Sequence, residues 1–250
     1  MNFLQKLDIA VKKNNSLLCV GLDNGDFRFN KKIVDQTKDL VCAYKPNFGF
    51  YGSSGKEGIG ELIKTINYVH KVTDVPVILD AKLADVGNTS HEYAKEVFIV
   101  FNADAVTVNP YLGFDSIVPF LEDRDRGVIV LCRTSNPGAS DFQDLLINKK
   151  PLYIHIAKSV MEWNNKYGNC LLVIGATWVK ELEHIRKLAP EMVFLVPGIG
   201  AQGGDLEKTL KAGLREDKSG LIINSSRGII FANNPRQAAL DLKNLINKFR

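Results

Sequence analysis

Eight short apolar runs, rich in Val, Ile, Leu and Cys, recur along the chain near 17–22, 41–45, 75–80, 104–108, 127–132, 170–175, 192–197 and 220–224. Few of them alternate apolar with polar residues, which is the pattern of parallel strands buried on both faces. Parallel neighbours need long crossovers, and the segments between the runs carry helical spacing. Ile59, Leu62, Ile63, Ile66 and Val69 form one stripe; Tyr93, Ala94, Val97, Phe98 and Phe101 form another. A last helix is predicted to start at Pro235, a favoured first-turn residue, and to bury Ala238, Leu242, Leu245, Ile246 and Phe249. Eight β-α units in 250 residues fit an α/β fold, a (β/α)8 TIM barrel, as a single domain over 1–250. A doubly wound open sheet is the alternative. It needs fewer strands or a second domain, and no linker, charge block or composition shift divides the chain.

Phe3, Leu4, Leu7 and Val11 keep helical spacing and are interrupted by Lys6, Asp8, Lys12 and Lys13. That is an amphipathic helix suited to closing one end of the barrel, not a signal peptide, and no stretch is long enough for a membrane span. The formal charge of +4, from 32 basic and 28 acidic residues, suits an anionic small molecule but is too weak and scattered for nucleic acid. The four cysteines, Cys19, Cys42, Cys132 and Cys170, lie inside apolar runs without a CxxC pair, as buried thiols of a cytoplasmic protein do. His70, His91, His155 and His184 are far apart and show no metal-ligand spacing, so no metal site is expected.

In the third run the apolar stretch Val75-Pro76-Val77-Ile78-Leu79 is followed at once by Asp80-Ala81-Lys82-Leu83-Ala84-Asp85-Val86-Gly87-Asn88-Thr89. Period-2 geometry sends Asp80 and Lys82 to one side of a strand. At the carboxyl end of a barrel strand that side faces the active-site mouth. The pattern suggests an ammonium held between carboxylates, an arrangement for moving charge or a proton. A solvated charged turn is the plainer reading.

After the seventh run, Gly198, Gly200 and Gly203 spell GxGxxG between a strand and a helix. Too little chain follows for the rest of a dinucleotide-binding domain, whose fingerprint belongs to a first βαβ unit. Glycines also let backbone N–H groups approach an anion, and the loops after strands seven and eight of barrels commonly hold phosphate. The eighth run ends in Asn224-Ser225-Ser226-Arg227-Gly228, where Arg227 could give a guanidinium and Gln202 an amide to the same phosphate. Alternatively Arg227 is a surface arginine and the glycines only turn the chain. A long excursion after the fifth run, over 133–150 and opening on Thr134-Ser135-Asn136-Pro137-Gly138, reads as a ligand-contacting loop.

With these motifs in order, each at a strand end, the chain resembles the orotidine 5′-phosphate decarboxylase family over nearly its whole length. The markers are Gly21-Leu22-Asp23, Tyr44-Lys45-Pro46-Asn47, the Asp80/Lys82/Asp85 motif with Gly87-Asn88-Thr89, Arg133-Thr134-Ser135-Asn136, the glycine loop with Gln202, and Ser226-Arg227-Gly228. The resemblance implies cofactor-independent decarboxylation of orotidine 5′-monophosphate (OMP) to UMP in pyrimidine biosynthesis. It implies that Lys45, Asp80, Lys82 and Asp85 form a charge network, with Lys82 as proton donor. It further implies Asp23 and Lys45 at ribose hydroxyls, Asn47 as a site neighbour, Ser135 at the pyrimidine edge, Gln202 and Arg227 at the phosphate, and Ser226 among the substrate-binding residues. Asp85 and Thr89 would reach the ligand of a neighbouring subunit, which implies a homodimer with shared sites. Association with orotate phosphoribosyltransferase is left open by the sequence, and 250 residues are expected to leave no room for a fused copy.

Loss of CO2 from C6 of orotate leaves a carbanion with no conventional electron sink, and the sequence offers no cofactor fingerprint to supply one. A fixed ammonium aimed at the developing charge is the remaining tool, and flanking carboxylates keep it protonated. Two rivals stay open. One is a Mg2+-dependent sugar-phosphate decarboxylase or hexulose phosphate synthase, relatives that resemble the Asp-x-Lys-x-x-Asp pattern but lack a lysine like Lys45. The other is a catalytically silent nucleotide-binding barrel.

Overall fold

The structure, a computed structural model, describes residues 1–199 and 204–250. All eight predicted strands form: β1 (Leu18–Gly21), β2 (Ala43–Lys45), β3 (Ile78–Leu83), β4 (Ala105–Val108), β5 (Gly127–Arg133), β6 (Cys170–Ile174), β7 (Phe194–Val196) and β8 (Leu221–Ser225). They build one parallel sheet in the order β2-β1-β8-β7-β6-β5-β4-β3. The two ends of this row meet through parallel bridges between Tyr44 and Val77 and between Asn47 and Asp80. At that seam the Tyr44 N–H donates to the Pro76 carbonyl at 3.0 Å and the Asp80 N–H to the Pro46 carbonyl at 2.9 Å. The sheet thus closes into the (β/α)8 barrel, which removes exposed strand edges.

The strands are buried on both faces, as their continuous apolar character predicts. Cys19, Ala43, Ile78, Ala105, Ile129 and Leu171 point into the barrel. Their neighbours Leu18, Val20, Tyr44, Leu79, Val106 and Val128 pack outward against the helices. The first helix, Phe3–Asn14, is set by a capping box: Asn2 accepts from the Gln5 N–H at 2.9 Å, and Gln5 accepts from the Asn2 N–H at 3.1 Å. Its Phe3 and Leu7 enter the interior cluster and plug the amino-terminal end of the barrel. Gly127 makes this possible, because a Cβ there would lie 2.4 Å from the Phe3 ring.

Several boundaries differ from expectation. β3 begins at Ile78, three residues later than expected, and runs to Leu83, so Lys82 lies inside the strand rather than after it. The helix Gly87–Lys95 continues into a π-helical turn, Glu96–Val100, which keeps Val97 and Phe98 inside and leaves Ile99 and Val100 on the surface. The last helix does run from Pro235 to Lys248, capped by Asn234, but its buried stripe is centred on Ala239 and Ile246. Ala238, Leu242 and Phe249 are only partly buried, and Leu245, at the stripe's edge, is 45% exposed. The excursion after β5 folds into a 3-10 turn, Pro137–Asp141, and a small antiparallel hairpin of Leu146–Ile147 with Lys150–Pro151. All four cysteines are buried and unpaired. Among the described residues, no helix is long and apolar enough to cross a membrane.

Candidate active site

The carboxyl ends of the strands open into a cavity of about 700 Å3, a size suited to a small-molecule ligand. Its first wall is charged and built from Asp23, Lys45, Asn47, Asp80, Lys82 and Thr107. A second is apolar, with Leu131, Val173, Leu195, Pro197 and Ile199. The excursion supplies a third through Thr134, Ser135, Asn136, Phe142 and Gln143, and the segment Asn224–Gly228 a fourth.

At the charged wall one carboxylate joins two ammoniums. Asp80 Oδ2 accepts from Lys45 Nζ at 2.7 Å, and Oδ1 accepts from Lys82 Nζ at 2.6 Å. Lys45 is buried and the Asp80 side chain is 11% exposed, whereas the Lys82 side chain is about half exposed toward the cavity. Burial opposes the charge on Asp80, but the ammoniums of Lys45 and Lys82 outweigh it and hold the carboxyl well below the usual range. Burial likewise opposes the charge on Lys45, yet Asp80 and then Asp23 raise its pKa above the ordinary lysine value. The sequence suggested a lysine between carboxylates; within this chain the carboxylate lies between lysines.

Strand alternation does not explain how Lys82 reaches Asp80. β3 pairs Leu79 with Val106 and next Leu83 with Val108, so residues 80–82 bulge opposite the single residue Thr107. Lys82 sits there in the left-handed region at φ 51°. Its N–H donates to Thr107 Oγ1 at 3.0 Å, and Thr107 in turn donates to Asp80 Oδ1 at 2.9 Å.

The third wall is pinned from below. Arg133 is fully buried, stacks 3.9 Å from the Trp178 ring centre and donates to Asp144 at 2.9 Å. Trp178 Nε1 donates to the Thr134 carbonyl at 2.9 Å, and Gln143 accepts from the Thr134 N–H at 2.8 Å. Ser135 crosses directly over Gly175, where any Cβ would meet its backbone nitrogen at 2.7 Å. On the first wall, Asp23 Oδ1 is buried without a hydrogen-bond partner among the described residues. Asn47 caps the short helix Phe48–Gly52, accepting from the Gly49 N–H at 3.0 Å.

The structure therefore brings together Asp23, Lys45, Asn47, Asp80, Lys82, Ser135, Ser226 and Arg227. Arg227 is exposed and makes no ion pair with a described residue. Asp85 and Thr89 do not line this cavity: Asp85 accepts from the Val86 N–H at 2.7 Å, and Thr89 is exposed on the helix after β3. Gln202 lies outside the described residues. Sequence reasoning missed Thr107, whose signal was one hydroxyl inside the apolar run Ala105-Val106-Thr107-Val108, and Gln143, which carried no local signal. Among the described residues, no group of three or more His, Cys, Asp or Glu side chains is placed to hold a metal ion.

A family model described as Orotidine 5′-phosphate decarboxylase / HUMPS family matches residues 16–242. The orotidine 5′-phosphate decarboxylase of Cellvibrio japonicus is 47% identical, with 100% of both chains covered. That of Cupriavidus necator is 46% identical over 100% of this chain and 99% of its own. Among solved structures, the OMP decarboxylase of Leishmania donovani superposes with a TM-score of 0.94 at 41% identity, covering 100% of this chain and 99% of that one. The UMP synthase of the same organism gives a TM-score of 0.95 at 43% identity, covering 100% of this chain and 56% of that chain.

Proposed function

The chain belongs to the orotidine 5′-phosphate decarboxylase family, and from that premise we propose that it converts OMP to UMP and CO2 without a cofactor. The observation that carries the reading is the Lys45–Asp80–Lys82 row on the cavity wall. Two ammoniums and one carboxylate give that row a net charge of +1, beside a site of matching size. As the C6–carboxylate bond breaks, its electron pair stays on C6 and CO2 leaves. The half-exposed ammonium of Lys82 stabilises that pair and then transfers a proton to C6, and solvent restores the proton to the amine. Asp80 holds both ammoniums in place and keeps that of Lys45 charged.

Each tenfold in rate requires about 1.4 kcal/mol, so a single ammonium cannot supply the whole acceleration. Binding at the far end of the substrate contributes the rest. Arg227, Ser226 and Gln202 hold the phosphate, and Ser135 meets the pyrimidine edge. The unpartnered Asp23 Oδ1 suits a ribose hydroxyl as donor, with Lys45 beside it. Asn47 borders the same region.

Asp85 and Thr89 complete the site of a neighbouring subunit, which makes the active form a homodimer. The exposed apolar side chains of Val86, Ile99, Val100, Tyr111 and Leu112, on the segments after β3 and β4, support that assembly. The four unpaired buried cysteines support a cytoplasmic setting.

A Mg2+-dependent sugar-phosphate reaction is disfavoured because the buried Lys45 ammonium already sets a fixed cation against Asp80. The test is UMP formation from OMP in the presence of a chelator. Turnover independent of chelator and of added Mg2+ is expected. A strict Mg2+ requirement, or activity on a hexulose phosphate and none on OMP, would overturn the proposal.

A further inference from the structure

Lys82 carries an unusual backbone for the residue assigned to deliver a proton. Among the described residues, no other non-glycine residue of the eight strands has positive φ. A side chain with a Cβ is disfavoured in that region, so neighbouring contacts must hold it there. The bulge also removes the Lys82 N–H from the strand ladder, since the pairing passes from Leu79–Val106 to Leu83–Val108. Its partner is instead the hydroxyl of Thr107, at 3.0 Å.

That hydroxyl has one proton, and its direction is fixed. Thr107 Oγ1 accepts from the Lys82 backbone and donates to Asp80 Oδ1 at 2.9 Å, the same oxygen that receives Lys82 Nζ at 2.6 Å. A ring of contacts results: Lys82 backbone to Thr107, Thr107 to Asp80, and Asp80 back to the Lys82 ammonium. Thr107 itself is 1% exposed, so water cannot readily take over both of its bonds. Valine has nearly the same shape and suits a strand equally well, but it leaves the Lys82 N–H unpartnered and removes one donor from Asp80.

We propose that Thr107 is a positioning residue for Lys82, its hydroxyl locking the left-handed backbone and the Asp80 carboxylate into one unit that aims the ammonium. The inference rests on the proposed decarboxylase reading. Because Thr107 acts through Lys82 and not through the distant phosphate contacts, its loss should fall on kcat and spare KM.

The experiment compares OMP turnover by the wild-type protein with Thr107→Val, Thr107→Ser and Thr107→Cys, each checked for folding by circular dichroism and melting. Thr107→Val should lower kcat by about 10- to 100-fold, the range for losing a hydrogen bond to a charged group, with KM changed by less than about threefold. Thr107→Ser should recover most of that kcat, and Thr107→Cys, a poor acceptor, should not. If Thr107→Val does not fold, the Ser and Cys pair alone decides the matter. Wild-type kcat in Thr107→Val or Thr107→Cys overturns the inference, as does equal loss in folded Ser and Cys variants, or a loss confined to KM. In each of those cases an active wild type leaves the decarboxylase reading standing; a wild type inert toward OMP removes both.

Discussion

Asp80 is the residue on which the site turns. Held between two ammoniums and largely shielded from solvent, it carries a charge that both lysines depend on. Replacing it by Asn takes from the buried Lys45 the carboxylate it is hydrogen-bonded to, a loss of about 3 kcal/mol for breaking a buried pair. Asp80→Asn is therefore expected to melt well below the wild type and to lose turnover, both measurable on one preparation; an unchanged melting temperature would contradict the geometry. The order and spacing of Lys45, Asp80, Lys82, Ser135 and Arg227 were legible because each sits at the end of an apolar run. The left-handed backbone of Lys82 was not. It depends on a register shift against β4, and register is a property of two strands rather than of one. For the same reason Thr107, 25 positions away in the chain, could not be paired with Lys82 from the sequence.

The elements were legible because parallel strands buried on both faces read as unbroken apolar runs, and all eight such runs became strands. What escaped was shorter than a periodicity. The two-residue strands of the hairpin after β5 turn through Asn148 and Lys149, both at positive φ, and carry no pattern that a sequence window can detect. The last helix was placed correctly, but its stripe was misjudged: Leu245 is apolar yet lies off the line through Ala239 and Ile246. Two close contacts between elements make predictions. Phe3→Ala should cost about 3–5 kcal/mol by emptying the plug over Gly127, read from denaturant midpoints. Gly175→Ala should displace Ser135 and lower kcat/KM for OMP while leaving the denaturant midpoint closer to wild type than Phe3→Ala does. A Gly175→Ala enzyme with full kcat/KM would show that Ser135 has no need of that path over β6.

At the scale of the whole molecule, the helical plug and the candidate site occupy opposite ends of the barrel. Below the plug, Asp104 accepts from Lys6 at 2.5 Å, from His70 at 2.7 Å and from the Val77 N–H at 2.8 Å. Burial opposes its ionisation, but the contacts with His70 and Lys6 prevail and lower its pKa to about 2. Since the folded pKa lies below the unfolded value of about 4, this contribution is complete above pH 4 and is lost as pH falls toward 2. It amounts to about 2 kcal/mol, so Asp104→Asn should be less stable than the wild type at pH 6, with the difference shrinking toward pH 2 in melting curves. At the other end, the proposed sharing of Asp85 between subunits predicts that mixing inactive Lys82→Ala and Asp85→Ala proteins restores activity, since each hybrid dimer has one intact site. Mixtures that exchange subunits and stay inactive would count against shared sites. The most direct test of the central claim is the absorbance change as OMP becomes UMP, recorded for the wild type and for Lys82→Ala without added metal. The wild type is expected to turn over, and a folded Lys82→Ala protein to lose nearly all of that activity. OMP left untouched by excess wild-type protein, or converted equally well by Lys82→Ala, would contradict that claim.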